Sequence, residues 1–387
     1  MIRLPVQLLL LVATGVALEC DQGRRLPDDR IDDNFCDCAD RTDEPHTIAC
    51  ADEPRAALID EPLLAGRLVQ SMEAAQAGDC IDGSRVQSFT HRAGANASSV
   101  YCLPVIVDIG VPKGGTGELR TWIGKHPGVI AHAGEVHYFD RTKQRRENVT
   151  TCDSPRERDQ IRTGYASKFE MPKKSMGKRV YFEKTPAYFD QVDPSLFACA
   201  VPHVRLLLML REPASRALSD YQMCWRRDCD PDVDALFSRL LVGEDPPQLD
   251  SREASHVDPK ILRILSVGRY AEHLERWLRV AVLDTHANAP RVLWLEHFKA
   301  APFLCMRVIE THFGLAHYDY RAHAKRNEVG LWVVGKSKST SETGPKLAPS
   351  NATKARLVAY YALWQEKLKV MLDQFSLSLL PQLPLPS

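Results

Sequence analysis

The apolar residues of this chain come in short runs that break at glycine or proline and then pass into helical spacing. The first such run is Val105-Ile-Val-Asp-Ile-Gly-Val-Pro-Lys-Gly-Gly-Thr-Gly-Glu-Leu-Arg120. Its apolar stretch predicts a buried strand, and a helix follows from Gly117 to about Lys125. Between them a glycine pair lets backbone approach a ligand closely. A helix N-terminus with free N–H groups, fronted by Gly114, Gly115 and the hydroxyl of Thr116, suits a phosphate. This is not the nucleotide-triphosphatase loop, because Lys113 precedes the glycines and no Gly-Lys-Ser/Thr follows. A kinase of that type is therefore a distant reading.

A second run, Val204-Arg-Leu-Leu-Leu-Met-Leu-Arg-Glu-Pro-Ala-Ser-Arg-Ala-Leu-Ser-Asp-Tyr221, repeats the pattern. It predicts a buried strand ending in Arg211, a turn at Pro213 and a helix carrying Ser219. A guanidinium at a strand end and a hydroxyl about two turns along the next helix can hold a second phosphate. Strand–helix alternation predicts an α/β fold, with a mainly parallel sheet flanked by helices and a strand-loop-helix phosphate site. Pro54 to Gln76 is rich in Ala and Leu at helical spacing and reads as a connecting helix. Ile81 to Ser99 is polar and reads as loop, and Leu379 to Pro386 as a frayed end. No internal repeats are present.

Two further segments lie between these runs, Glu135-Val-His-Tyr-Phe-Asp140 and Val180-Tyr-Phe-Glu-Lys-Thr-Pro-Ala-Tyr-Phe189. In this order and at these separations the chain resembles the Golgi carbohydrate sulfotransferases, and within them the heparan sulfate 3-O- and N-sulfotransferase group. The resemblance runs from about Val105 to about Phe375. It includes Gly268-Arg-Tyr-Ala-Glu-His-Leu-Glu-Arg-Trp277, Leu293-Trp-Leu-Glu-His-Phe298, Phe313-Gly-Leu315 and Gly335-Lys-Ser-Lys338.

The resemblance implies that Lys113, Gly114, Gly115, Thr116 and Gly117 grip the 5′-phosphosulfate of the sulfuryl donor PAPS. It implies that Arg211 and Ser219 hold the 3′-phosphate, and that Gly335, Lys336 and Ser337 close over the nucleotide. Glu135 then matches the catalytic base, with Lys113 and Lys184 stabilising charge at the bridging oxygen and the transferring group. His137 and Asp140 orient the acceptor or tune the base. In-line positioning carries much of the rate, and the step needs no metal. The implied acceptor is an acidic, heparan-sulfate-like polysaccharide. Rival readings are a protein tyrosine or another glycan as acceptor, or a scaffold that binds without turnover.

Each residue has a blander reading. A glutamate before an aromatic pair is by itself most often a solvated loop residue. Lys184 taken alone is a surface lysine on a strand, and Arg211 a salt-bridge partner for Glu212 or Asp220. His132, His256, His286 and His323 lack comparable context and read as structural. The chain also departs from the family pattern. The segment Asn327-Glu-Val-Gly-Leu-Trp-Val-Val-Gly335 has no cysteine where many relatives carry a disulfide-bonded hairpin. Ser339-Thr340 replaces the usual Gly-Arg, and Gly117 stands where Arg or Thr is frequent.

Met1 to Ala17 has one early Arg, an apolar core around Leu8 to Val12, and small residues at Gly15 and Ala17. That pattern predicts a signal peptide, cleaved after Ala17. It is shorter than the roughly 20 apolar residues of a membrane span. An uncleaved Golgi anchor is the weaker alternative. Eleven cysteines then imply disulfides, with at least one cysteine free or paired between molecules. Sequons at Asn96, Asn148 and Asn351 fit the same lumenal, Golgi setting.

Carboxylates crowd around two cysteines in Ile31-Asp-Asp-Asn-Phe-Cys-Asp-Cys-Ala-Asp-Arg-Thr-Asp-Glu-Pro45. Such crowding favours a hard cation, Ca2+ above all. The segment is similar to the low-density-lipoprotein-receptor class A module, and more so to its variant in the glucosidase II beta subunit. The resemblance implies Asp33, Asp37, Asp43 and Glu44 as calcium ligands. Cys20, Cys36, Cys38 and Cys50 allow three pairings. Cys80 and Cys102 either complete the module or pair with each other across the Asn96 loop. The module's expected role is tethering or recognition of a protein partner. The organisation is thus signal peptide at 1–17, cysteine-rich module at 18–53, connecting helix and loop at 54–100, sulfotransferase-like domain at 101–378 and tail at 379–387.

Formal net charge is zero, with 50 basic and 50 acidic residues. Acid dominates the small module, which leaves the larger region basic. Arg141 to Arg146 and Lys168 to Arg179 are dense basic stretches beside the Glu135 and Lys184 motifs. They suit an acidic polysaccharide next to the cleft. A secreted, glycosylated chain makes nucleic acid an unsuitable partner.

Overall fold

The computed structural model describes residues 18–20, 24–26, 80–90, 96–140, 152, 154–201, 203–225, 232–243, 246–280, 289–335, 347–381 and 383. The predicted signal segment, the Pro54–Gln76 helix, the four calcium-ligand positions Asp33, Asp37, Asp43 and Glu44, and Lys336 and Ser337 lie outside the described residues.

Five strands make the central sheet: β1 (Ile106–Asp108), β2 (Val129–Ala131), β3 (Val180–Lys184), β4 (Arg205–Leu210) and β5 (Arg291–Trp294). Their order is β5-β4-β1-β3-β2, and every pairing is parallel. The helices that matter for the site are α1 (Thr116–Ile123), α2 (Pro155–Ala166), α3 (Pro213–Trp225), α4 (Tyr270–Leu278), α5 (Pro302–Phe313) and α6 (Asn351–Gln374). A parallel sheet covered on both faces explains the unbroken apolar runs. Val107 and Leu208 enter one core with Tyr165, Trp277 and Trp294, while Ile106 and Leu207 enter the other with Trp122, Leu293 and Phe313.

The chain leaves β1 for β2 at the sheet edge, returns to β3 beside β1, then crosses to β4 on the other side. That crossing opens a crevice at the carboxyl ends of β1, β3 and β4, where ligands bind in open α/β sheets. The predicted phosphate turn follows β1, and α1 begins at Thr116 with Gly115 as its N-cap. The predicted strand before Arg211 and helix after Pro213 are β4 and α3.

Two segments differ from expectation. The Ile81–Ser99 stretch, read as loop, contains a strand, Cys80–Asp82, and a helix, Gly83–Thr90. The reason is long-range: Cys80 lies opposite Cys102 in an antiparallel pair and is disulfide-bonded to it. Those two cysteines therefore pair with each other. A second disulfide joins Cys152 and Cys199, and Cys305 is free and buried.

The tail is not frayed at its start. Leu379, Leu380 and Leu383 are buried in the second core, and Leu379 N donates to Val292 O at 2.9 Å. The edge of β5 offers a main-chain partner, and this leucine-rich segment takes it. Among the described residues no helix is long and apolar enough to cross a membrane. Leu380→Ala should cost about 2–5 kcal/mol in urea unfolding, as for any buried leucine in a packed core. A frayed tail would instead leave the midpoint unchanged.

Candidate functional site

The turn after β1 is shaped by contacts that exclude side chains. A Cβ on Gly114 would stand 2.4 Å from Met209 O and 2.9 Å from Val111 Cγ2. Gly115 has φ 91, and a Cβ there would meet Leu295 Cδ1 at 2.5 Å. The chain can pass so close to β4 and the residue after β5 only as glycine. Lys113, just before, is itself left-handed at φ 67. Among the described residues the N–H groups of Gly115, Thr116 and Gly117 make no main-chain hydrogen bond. They face outward at the positive end of α1, the disposition that receives an anion.

Gly117, Glu118, Arg120 and Thr121 form one wall of a cleft of about 530 Å³, with Ala133, Gly134, Glu135 and Lys184 opposite. Asn327, Leu331, Val333 and Val334 close its third side. They belong to a hairpin of β6 (Ala324–Arg326) and β7 (Trp332–Val334). No cysteine staples it. The Asn327 side-chain oxygen accepts from Val329 N at 3.1 Å and Leu331 N at 2.9 Å, and Gly330 supplies the left-handed turn. Trp332 packs edge-on to Phe303 and beneath the Arg326 guanidinium. Gly335 then lies against α1, where a Cβ on it would stand 3.6 Å from Thr121 Cγ2.

Four of the sequence-predicted residues meet in one cluster. Lys184, at the end of β3 and 10% exposed, donates to Glu135 Oε1 at 2.6 Å. His137 Nε2 reaches Glu135 Oε2 at 3.0 Å, and its Nδ1 reaches Asp140 Oδ2 at 2.6 Å. Both ring nitrogens thus face carboxylate oxygens, which holds the imidazole between Glu135 and Asp140. Asp140 is 3% exposed, whereas Glu135 is 36% exposed and faces the cleft.

Other residues hold this cluster without any signal that spacing alone could give. Arg120 on α1 donates to the carbonyls of His132 and Ala133, fixing the loop that leads to Glu135. His132, read as merely structural, folds the same loop through Gly134 O at 3.0 Å. Thr185 Oγ1 accepts from Val136 N at 3.0 Å and His137 N at 3.3 Å. Behind them lie two buried carboxyl groups. Burial pushes Glu183 up to about 7 and Asp108 well above the usual carboxylate range, with Lys184 opposing the shift in both. Glu118, on the cleft wall, is also raised by burial, with Lys299 opposing it.

Arg211 stands at the next turn, after β4, and Ser219 further along α3; neither lines the Glu135 cleft. The bland pairings for Arg211 are not made. Asp220 pairs with Arg216 at 3.0 Å, and Glu212 caps α3 by accepting from Ala214 N and Ser215 N. Among the described residues the Arg211 guanidinium has no partner, while its carbonyl accepts from Tyr270 OH at 2.7 Å. The basic stretch Lys168–Arg179 runs from the loop that leads to Glu135, where Phe169 packs edge-on to His132 at 5.4 Å, to the start of β3. There Arg179 donates to Val129 O at the start of β2.

No family model matches the chain. It is 30% identical over 198 residues to mouse heparan sulfate glucosamine 3-O-sulfotransferase 3B1, covering 51% of this chain and 42% of that protein. To human heparan sulfate glucosamine 3-O-sulfotransferase 3A1 it is 30% identical over 178 residues, 46% of this chain and 37% of that one. To the human 3-O-sulfotransferase 6 it is 28% identical over 204 residues, 51% of each. The chain thus spans about half or less of the length of these curated relatives. Among solved structures, a sulfotransferase from Alicyclobacillus acidocaldarius is similar with a TM-score of 0.47 and 18% identity, over 70% of this chain and 96% of that one.

The turn chemistry has a direct check. Gly114→Ala should destabilise by about 1–3 kcal/mol through overpacking. Gly117→Ala meets nothing within 4 Å and should gain roughly 0.5–1 kcal/mol from helix propensity. Thermal unfolding of the two variants should move in opposite directions; equal shifts would contradict the packing described.

Proposed function

We propose that this chain is a sulfotransferase that moves a sulfuryl group from PAPS to a hydroxyl of a glycan, with a heparan-sulfate-like polysaccharide as the acceptor. The observation that carries this reading is the Glu135 carboxylate, open to the cleft and held between Lys184 and His137. The similarity to proteins named heparan sulfate glucosamine 3-O-sulfotransferases supports the same chemistry.

The donor site fits its ligand on three counts. The Gly114–Gly115 turn has no room for side chains, the first amides of α1 lack main-chain partners, and the Arg211 guanidinium is unpaired among the described residues. Lys113, Gly114, Gly115, Thr116 and Gly117 would hold the phosphosulfate, and Arg211 with Ser219 the 3′-phosphate. Gly335 leads into Lys336 and Ser337, which would close over the nucleotide. PAPS, when bound, supplies the sulfuryl group and a bisphosphate leaving group.

Glu135 takes the proton of the acceptor hydroxyl as its oxygen bonds to sulfur and the sulfur–oxygen bond to phosphate breaks. Lys184 is released from Glu135 as that carboxylate gains the proton, and its charge then serves the transferring group. Lys113 serves the leaving phosphate. Asp140 fixes the orientation of His137, and His137 fixes that of Glu135. A Golgi lumenal location agrees with the Cys80–Cys102 and Cys152–Cys199 disulfides. In that setting residues 18–53 would be a calcium-held module that docks a protein partner.

Labelled sulfate transfer from PAPS to a panel of desulfated glycosaminoglycans tests this reading. Glu135→Gln should lower kcat by about 10²–10⁴-fold, the contribution of a general base. Arg211→Ala should instead weaken binding of the product PAP in calorimetry while the fold persists. Binding of PAP without transfer would favour a different acceptor or a binding protein, and absence of PAP binding would end the donor-site assignment.

A further inference from the structure

Behind the cleft lies a titratable group that the transfer step does not use. Glu183 is fully buried on β3, one residue before Lys184. Its two oxygens have different donors. Thr185 Oγ1 donates to Oε1, and the Tyr165 hydroxyl of α2 donates to Oε2 at 3.2 Å. The same Thr185 oxygen accepts the N–H groups of Val136 and His137. Next along the loop, Tyr138 N donates to Tyr188 OH at 3.1 Å. Three consecutive amides therefore hang on two hydroxyl oxygens in front of one buried carboxyl.

A hydroxyl has one hydrogen and two lone pairs. With two amides donating into Thr185, its single hydrogen must go outward, and Glu183 receives it. An ionised Glu183 can accept from Thr185 and Tyr165 together. A protonated Glu183 is a donor at one oxygen, so one of those hydroxyl hydrogens has to turn away.

We propose that Glu183 is a positioning residue that orients the Thr185 hydroxyl, and through it holds the Val136–His137 backbone so that Glu135 and His137 stay in register in the cleft. This rests on reading Glu135 as the proton acceptor. The groups facing Glu183 are Lys184 on its own strand, Asp108 on β1, Tyr165 on α2 and Tyr188 after β3. Lys184 is the cation of this group. Burial raises Glu183 to about 7, so the ionised, loop-holding form grows as pH rises through neutrality. The stability sign is opposite: a carboxyl raised on folding favours the folded state below its unfolded value, and that benefit fades as pH climbs toward 7.

Glu183→Gln keeps the shape but sets an NH2 against a hydroxyl that now donates. Hydrogen exchange of the 132–140 peptide should quicken at least about tenfold, since held amides exchange only on opening. This readout needs no turnover, so it stands or falls apart from the proposed function. In transfer assays with PAPS and desulfated heparan sulfate, kcat should fall on the order of 10²-fold for a displaced base, with KM for PAPS little changed. The rise of rate through neutral pH should flatten. Thr185→Val should reproduce the loss and Thr185→Ser should retain wild-type exchange and rate, which decides the matter should Glu183→Gln fail to fold. Unchanged exchange in Glu183→Gln, or equal behaviour of the Val and Ser variants, would overturn the proposal. A Glu135→Gln enzyme that remains fully active would overturn only the reading of the base.

Discussion

At the carboxyl end of β3 three polar residues in succession, Glu183, Lys184 and Thr185, enter a region closed to water. An unpartnered charge there would cost several kcal/mol, and a hydroxyl or carboxyl without a hydrogen bond somewhat less. The surrounding structure answers each of them. Lys184 turns forward to Glu135, Thr185 gathers the amides of the next loop, and Glu183 accepts from Thr185 and Tyr165. The position of the candidate base is thus set by the need to satisfy a strand end. The same loop is tied on its other side by Arg120 from α1. Two helices and a strand that are distant in sequence therefore agree on where one carboxylate sits.

The β1–β3 pairing also joins two halves with different chemistry. The turns after β1 and β4 carry amides and an arginine suited to phosphates, and the end of β3 and the segment after β2 carry the proposed acid–base groups. Asp108 and Lys184 are directly opposite across that pairing. Any change in register there would shift the glycine turn against Glu135. The hairpin of β6 and β7 closes the cleft from a third direction, using an asparagine side chain and a tryptophan where a disulfide is the alternative.

What could be read from sequence was whatever has a local cause. The strand-turn-helix around Lys113 to Thr116 and the one around Arg211 follow from apolar runs and glycine or proline placement, and both are present. The grouping of Glu135, His137, Asp140 and Lys184 was legible through the order of motifs. Its supports were not, because Arg120, Glu183 and Thr185 owe their roles to neighbours 12, 18 and 49 positions away. Cys80 to Ser99 and the Leu379 segment are polar or proline-rich enough to resemble loops. A disulfide in one case and the open edge of β5 in the other give them order.

The strand order has a consequence for biogenesis. β1 lies between β3 and β4 and has no contact as a strand with β2, which is the next one made. Both edges of β1 therefore stay open until residues 180–184 and 205–210 have been synthesised. At about 5–20 residues per second, the roughly 100 residues between β1 and β4 need on the order of 5–20 s. During that interval a segment that ends up fully buried, Ile106 to Asp108, keeps its main-chain groups unpaired by neighbouring strands. The glycine turn that follows β1 packs against Met209 and Leu295, so it can take its final shape only after those residues have been made.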